Sequence, residues 1–136
     1  MKKLATIFLS ILFVFMLTSC TVTTDSVIKN LDKEGYTLDI ISNSSGDEKL
    51  QLKQIKIRFE DTYNVTFEGD IITVIEAVND EDQRVYLYEF EKESDAVTFY
   101  DIILNSIESE KPEKVIDIDE CVVIFASDSK ALSDAK

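Results

Sequence analysis

Two segments in the middle of the chain restrict its fold more than any others. Ile71 to Val78 (IITVIEAV) is β-branched almost throughout, and Arg84 to Phe90 (RVYLYEF) alternates Val85 and Leu87 with Tyr86, Tyr88 and Phe90. β-Branched and aromatic side chains suit a pleated surface, and a strand sends successive side chains to opposite faces. Between the segments, Asn79-Asp80-Glu81-Asp82 is built of residues that turn a chain back. A β-hairpin follows, its first strand buried.

The rest of the chain is read around that hairpin. Thr24 or Asp25 caps a helix over 25–34 with Val27, Ile28 and Leu31 on one face, and Gly35 closes it. Residues 36–42 alternate as a strand, and Asn43-Ser44-Ser45-Gly46 is a loop. Residues 47–63 fit both periods, because Ile55, Ile57 and Phe59 alternate while Leu52, Ile55, Phe59 and Tyr63 recur at helical spacing. Helix is the better fit. At 100° per residue the last four fall in an arc of about 80°, and the segment is rich in Glu, Lys, Gln and Leu with no breaker. That choice leaves Leu50 and Ile57 on the opposite side, either packed on the first helix or marking a contact patch. Asn64 ends this helix in the left-handed conformation.

Ser94 caps a second long helix, running to about Glu108, with Ala96, Phe99, Tyr100, Ile103 and Ile107 at core spacing, and Lys111-Pro112 breaks it. Residues 115–118 and 121–126 are strand-like, separated or merely bent at Asp119-Glu120, and Ser127 or Asp128 caps a short helix from Ser129. Between the terminal helices the order is strand, helix, strand, strand, helix, strand. This predicts a single α+β domain of ferredoxin-like (split βαβ) layout, with an antiparallel sheet, the helices of that unit on one face, and extra N- and C-terminal helices. The layout carries no implication of an iron–sulfur cluster, for which the chain lacks cysteines.

The opening segment, MKKLATIFLSILFVFMLTSC, has two lysines, an uncharged apolar run and then small residues, the pattern of an export signal. The apolar run is too short to span a bilayer core, which takes about 20 helical residues. Its last four residues, Leu17-Thr18-Ser19-Cys20, resemble the lipobox of bacterial lipoproteins, in which the cysteine becomes the lipid-bearing N-terminus. The resemblance covers residues 1–20 and implies removal of residues 1–19, diacylglycerol on Cys20, and an extracytoplasmic, membrane-anchored domain. Two acyl chains hold stably where one holds reversibly. Residues 20–24 are then the lipidated cysteine and a spacer reaching no more than about 15 Å, and 25–136 form the domain.

Without residues 1–19 the chain keeps 12 basic and 27 acidic side chains, a formal charge of −15. Such a surface repels phosphate backbones, so nucleic acid is not an expected partner. Hydrophobic residues at 45%, three glycines and one proline favour a folded domain over disorder. The chain has no histidine, which removes most hydrolytic triads and zinc sites. Cys121 opens the apolar run CVVIF and reads as a core cysteine with a raised thiol pKa. The clusters 79–82 and 117–120 lack EF-hand spacing and read as a hairpin turn and strand ends.

No cofactor, metal site or catalytic constellation emerges. Four residues stand out as binding candidates. Tyr86 and Tyr88 share one face of the hairpin, either covered by the first or last helix or open to a ligand; Leu50 and Ile57 lie on the outer side of their helix. The expectation is a non-catalytic domain that binds a protein partner or a small ligand. The alternatives are a hydrolase of envelope polymers working through paired carboxylates and a structural subunit of a surface complex.

Overall fold

The computed structural model describes residues 22–110 and 113–136. Helix α1 (Thr24–Lys33) starts where Thr23 and Ser26 exchange hydrogen bonds, each hydroxyl accepting the other's backbone N–H, and it stops before Gly35 at φ 82°. Strand β1 (Thr37–Ser42) leads into α2 (Gly46–Tyr63), whose N-cap is Ser45 and whose C-cap is Asn64 in the left-handed region. The hairpin is β2 (Ile71–Val78) and β3 (Arg84–Phe90). In its turn, the Asn79 side-chain oxygen accepts N–H groups from Glu81 and Gln83, and Asp82 takes φ 59°. Helix α3 (Glu93–Glu110) starts one residue before Ser94, with the Lys92 carbonyl accepting from Asp95 and Ala96, so Ser94 lies inside the first turn and is not the cap. Strands β4 (Val115–Asp119) and β5 (Val122–Ala126) and helix α4 (Ser129–Ala135), capped by Asp128, complete the chain. Lys111 and Pro112 lie outside the described residues, as do the signal segment and Cys20.

The α+β class holds, with five strands, all pairs antiparallel, in the order β1-β2-β3-β5-β4. The split βαβ layout describes only part of this arrangement: β3, α3 and β4 form one such unit, with β5 between the parallel strands β3 and β4, but β1, α2 and β2 do not. That layout joins parallel strands across a helix, whereas here the chain leaves β1, forms α2 and returns as the antiparallel neighbour of β1, with Ser42 opposite Thr73. Glu120 at φ 52° divides the final apolar stretch into a second hairpin, whose inner strand β5 closes on β3.

The helices occupy both faces of the sheet: α2 and α3 share one, as expected of the helices that lie between strands, and the terminal helices take the other. On the first face, α1 and α4 cover Ile75, Val85, Leu87 and Ile124 with Val27, Leu31, Ala131 and Ala135. On the second, Leu52 of α2 and Ala96 and Phe99 of α3 pack with Val74, Phe90 and Val123. A strand as continuously apolar as β2 needs cover on both sides. A β-bulge between Ile71 and Thr73 adjusts this strand further: Ile71 stands opposite Phe90 and Thr73 opposite Glu89. The extra residue turns Ile71 onto the Phe90 face, although strict alternation would place it with Ile75.

Candidate functional site

The feature that separates this molecule from a plain packed sheet is the way α2 is held. At its start, the Glu48 carboxylate accepts the Ser42 backbone N–H at 2.8 Å and the Ser42 hydroxyl at 3.0 Å, and these bonds hold the Glu48 pKa below its ordinary value. At its end, Glu60 accepts the Phe67 N–H at 2.7 Å, and Lys56 donates to the Gly69 carbonyl at 2.7 Å with Asp70 at 3.6 Å. Between these ties Leu52 is buried, and the Phe59 ring packs on Phe67, Phe99 and Tyr63 at centroid distances of 5.5, 4.7 and 4.5 Å.

The inward face of α2 being fixed, its outward face follows. Leu50 is 57% exposed and Ile57 45% exposed, so neither packs on α1, which lies across the sheet. They sit within residues 49–58, KLQLKQIKIR, which hold four basic side chains and no acid in a strongly acidic chain. Hollows flank this ridge. On one side a cavity of about 520 Å³ has Lys49, Lys53 and Lys56 along one wall, Asp70 and Glu91 along the other, and Leu52, Ile71 and Ile72 at its base. On the other side, toward α3, a hollow of about 290 Å³ is lined by Arg58, Phe59, Tyr63, Tyr88 and Phe99 among others.

The two tyrosines lie elsewhere than either sequence-based alternative put them. Tyr86 and Tyr88 are half-buried on the α2–α3 face, so α1 and α4 do not cover them, and that sheet face is not open. Tyr88 meets Phe99 at 4.6 Å, and Tyr86 stacks on Phe125 at 4.9 Å with 17° between ring planes. Burial, then the negative charge of Glu76 and the neighbouring Tyr86, raise the Tyr88 pKa. Arg84 lies 3.5 Å from Glu76 and 3.2 Å from Asp82.

A second device carries no local signature in the sequence. The loop into β2 donates four successive N–H groups to three carboxylates: Phe67 to Glu60, Glu68 and Gly69 to Asp95 at 2.9 and 2.8 Å, and Asp70 to Glu91 at 2.9 Å. Asp95 is only 3% exposed. Its partners are 26 and 27 residues away, a separation no spacing rule reaches.

Cys121 sits in the β4–β5 turn and is half-buried, not inside the strand. Burial raises its thiol pKa, with Glu93, Glu120 and Glu89 adding to the effect, which disfavours the reactive thiolate. Of the 117–120 acids, Asp119 accepts the Val22 N–H at 2.6 Å and Asp117 pairs with Lys136. Among the described residues no group of three His, Cys, Asp or Glu side chains is placed to hold a metal ion, and no helix is long and apolar enough to cross a membrane. Searches against protein-family models, curated proteins and solved structures return no match to this chain.

Proposed function

We propose that the chain is a lipid-anchored extracytoplasmic lipoprotein whose domain is a non-catalytic interaction module presenting the outer ridge of α2 to a protein partner. The LTSC quartet ending at Cys20 motivates the anchor. The observation that carries the interaction is the ridge itself: Leu50 and Ile57 stand exposed two turns apart, amid Lys49, Lys53 and Arg58, on a domain with a formal charge of −15. Apolar residues of this size are costly to leave in water, contributing about 1.5–3 kcal/mol each on full burial. A partner segment with acidic side chains around two apolar residues, about 10 Å apart along a helix, complements the ridge in both charge and spacing. Tyr86 and Tyr88 belong to the aromatic layer between sheet and helices, and they are not assigned to this surface.

The carboxylate-hydrolase reading has less support. The acids of the larger cavity are engaged, Asp70 by Lys56 and Glu91 by the Asp70 amide. The carboxyl groups of Glu48 and Asp128 are displaced downward, opposite to the direction a general acid requires.

Two arms test the proposal. Cys20→Ser is expected to leave an unprocessed or unlipidated precursor, and mass spectrometry of the native parent showing a bare thiol at Cys20, or residues 1–19 still attached, refutes the anchor. Leu50→Glu with Ile57→Glu is expected to leave stability within about 0.5 kcal/mol of the parent, as for other surface changes, and to abolish co-purification of the protein that the parent chain retains in detergent extracts. Loss of the fold, or retained association, refutes the ridge.

A further inference from the structure

The ridge leaves the larger cavity on the lysine flank of α2 without a role, and its construction differs from that of a chance surface hollow. Leu52 and Ile71, at 3% and 4% exposure, give it a base anchored in the core. Strand β1 ends at Ser42, opposite Thr73, so the first two residues of β2 run on past the end of their neighbour. The β-bulge falls at that place, and it leaves Ile72 without a partner in the β3 register while its side chain lines the cavity. Bulges of this kind re-aim side chains toward binding sites. The volume of about 520 Å³ is in the range of small-molecule pockets, about 300–1,000 Å³.

The charges around the rim are unevenly committed. Lys56 is occupied by the Gly69 carbonyl and Asp70. Asp70 pairs with Lys56 while its side chain stays largely exposed, and Glu91 holds the Asp70 amide. Lys49 and Lys53, one turn apart on the same wall, take part in none of the ion pairs among the described residues. Two uncommitted ammonium groups beside a buried aliphatic base suit one class of ligand. We infer that this cavity binds a small organic monoanion, a carboxylate with a compact apolar body. Its carboxylate lies against Lys49 and Lys53 and its body against Leu52, Ile71 and Ile72. The acids of the opposite wall repel a second negative end, so dianions are excluded, and a cation meets the two lysines. This site borders the partner surface proposed above and shares Lys49 and Lys53 with it, but the apolar residues of that surface, Leu50 and Ile57, do not line it.

The chain has no tryptophan and five tyrosines, so an indole probe excited at the red edge of its absorption band, where tyrosine does not absorb, is read without background from the protein. The full chain in detergent micelles is titrated with 4-(indol-3-yl)butanoate and followed by fluorescence anisotropy, with tryptamine as the cationic control. A saturable rise is expected for the carboxylate and none for the amine. The double variant Lys49→Gln/Lys53→Gln, with an unchanged urea midpoint, should bind the probe at least fivefold more weakly. Leu50→Ser/Ile57→Ser should bind it within twofold of the parent, which separates failure of this site from failure of the ridge. A non-saturating rise, binding of tryptamine as tight as that of the carboxylate, or less than fivefold weakening in the lysine variant overturns the inference.

Discussion

Replacing Asp95 with alanine tests the least conspicuous part of the structure, the carboxylate clamp on the loop before β2. The Asp95 carboxylate is 3% exposed and accepts two N–H groups, from Glu68 at 2.9 Å and Gly69 at 2.8 Å. A hydrogen bond to a charged group contributes about 1.5–3 kcal/mol net, and a buried donor left without a partner costs about 1–3 kcal/mol. Glu68 is exposed, so water replaces its lost bond and the lower end applies; Gly69 is buried, and its donor is stranded. Loss of a negative charge from the first turn of α3 adds about 0.3–1 kcal/mol. The expected total for Asp95→Ala is about 3 kcal/mol.

For a domain of this length 1 kcal/mol corresponds to about 4 °C in Tm, so the midpoint should fall by about 12 °C. Urea unfolding gives the free energy directly, with the slope unchanged if the denatured state is the same. Asp101→Ala is the control: an exposed acid on the same helix, expected to change stability by less than about 0.5 kcal/mol. Because both variants remove one negative charge from an acidic chain, relief of general repulsion cancels in the comparison. A loss below about 1 kcal/mol for Asp95→Ala, or equal losses for the two variants, refutes the clamp.

Two further outcomes follow from the same region. The Glu48 pKa is lowered by its bonds from Ser42, so the stability that Glu48 supplies is full above its unfolded value of about 4.3 and is lost as pH falls through the lower folded value. The gap in urea midpoint between the parent and Glu48→Gln should therefore be present at pH 6 and close progressively below about pH 4; a gap that does not vary with pH contradicts the assignment. At Gly69 an added Cβ would come within 2.9 Å of Glu91 Oε2, the atom that accepts the Asp70 N–H, and 3.1 Å of Glu91 Cβ. Gly69→Ala should cost about 1 kcal/mol by displacing that side chain, and in combination with Glu91→Ala the loss should be smaller than the sum of the singles, whereas strict additivity would place the strain elsewhere.

Which parts of this molecule can be read from its residues depends on the distance over which each rule acts. The strands, helices and several of their ends were legible because caps and periodicity are local: Asn64, Gly35 and Asp128 mark boundaries at which elements stop or start, whereas the starts of α1 and α3 fall a residue or so before the expected caps. The outward position of Leu50 and Ile57 was legible for the same reason, since the helical period fixes which side chains oppose Leu52 and Phe59. Sheet order was not, because a period of two says which residues share a face and nothing about which edges meet. Two clues argued for cover on both faces: the continuous apolar run of β2 and the CVVIF stretch that supplies β5. They agree with terminal helices lying outside the split βαβ unit, but they do not say which helix lies over which face. Tyr86 and Tyr88 illustrate the gap: their common face follows from alternation, but the identity of the helix above them does not. Asp95 was invisible, because an acid in the first turn of a helix has an ordinary local explanation in the helix dipole.

The position of the basic ridge relative to the chain's start narrows what it can address under the proposed anchoring. Anionic lipid headgroups attract lysine and arginine near a bilayer at about 1 kcal/mol each, and by charge alone Lys49, Lys53, Lys56 and Arg58 suit a membrane. The topology opposes this. Val22 is tied through its N–H to Asp119 on the edge strand β4, and it packs with the α1–α4 face. Helix α2 lies on the opposite face, over β1 and β2 at the other edge of the sheet. Strands are spaced by about 4.8 Å, so β4 and β1 lie about 19 Å apart across the sheet, and the sheet itself separates the two faces. Only Thr21 stands between Val22 and Cys20, a reach of about 7 Å. A lipid on Cys20 would thus hold the β4 edge near the bilayer and turn the ridge away from it. The four basic side chains then cannot be serving the membrane that holds the domain, and an acidic partner in the surrounding space is what their concentration in one helix fits.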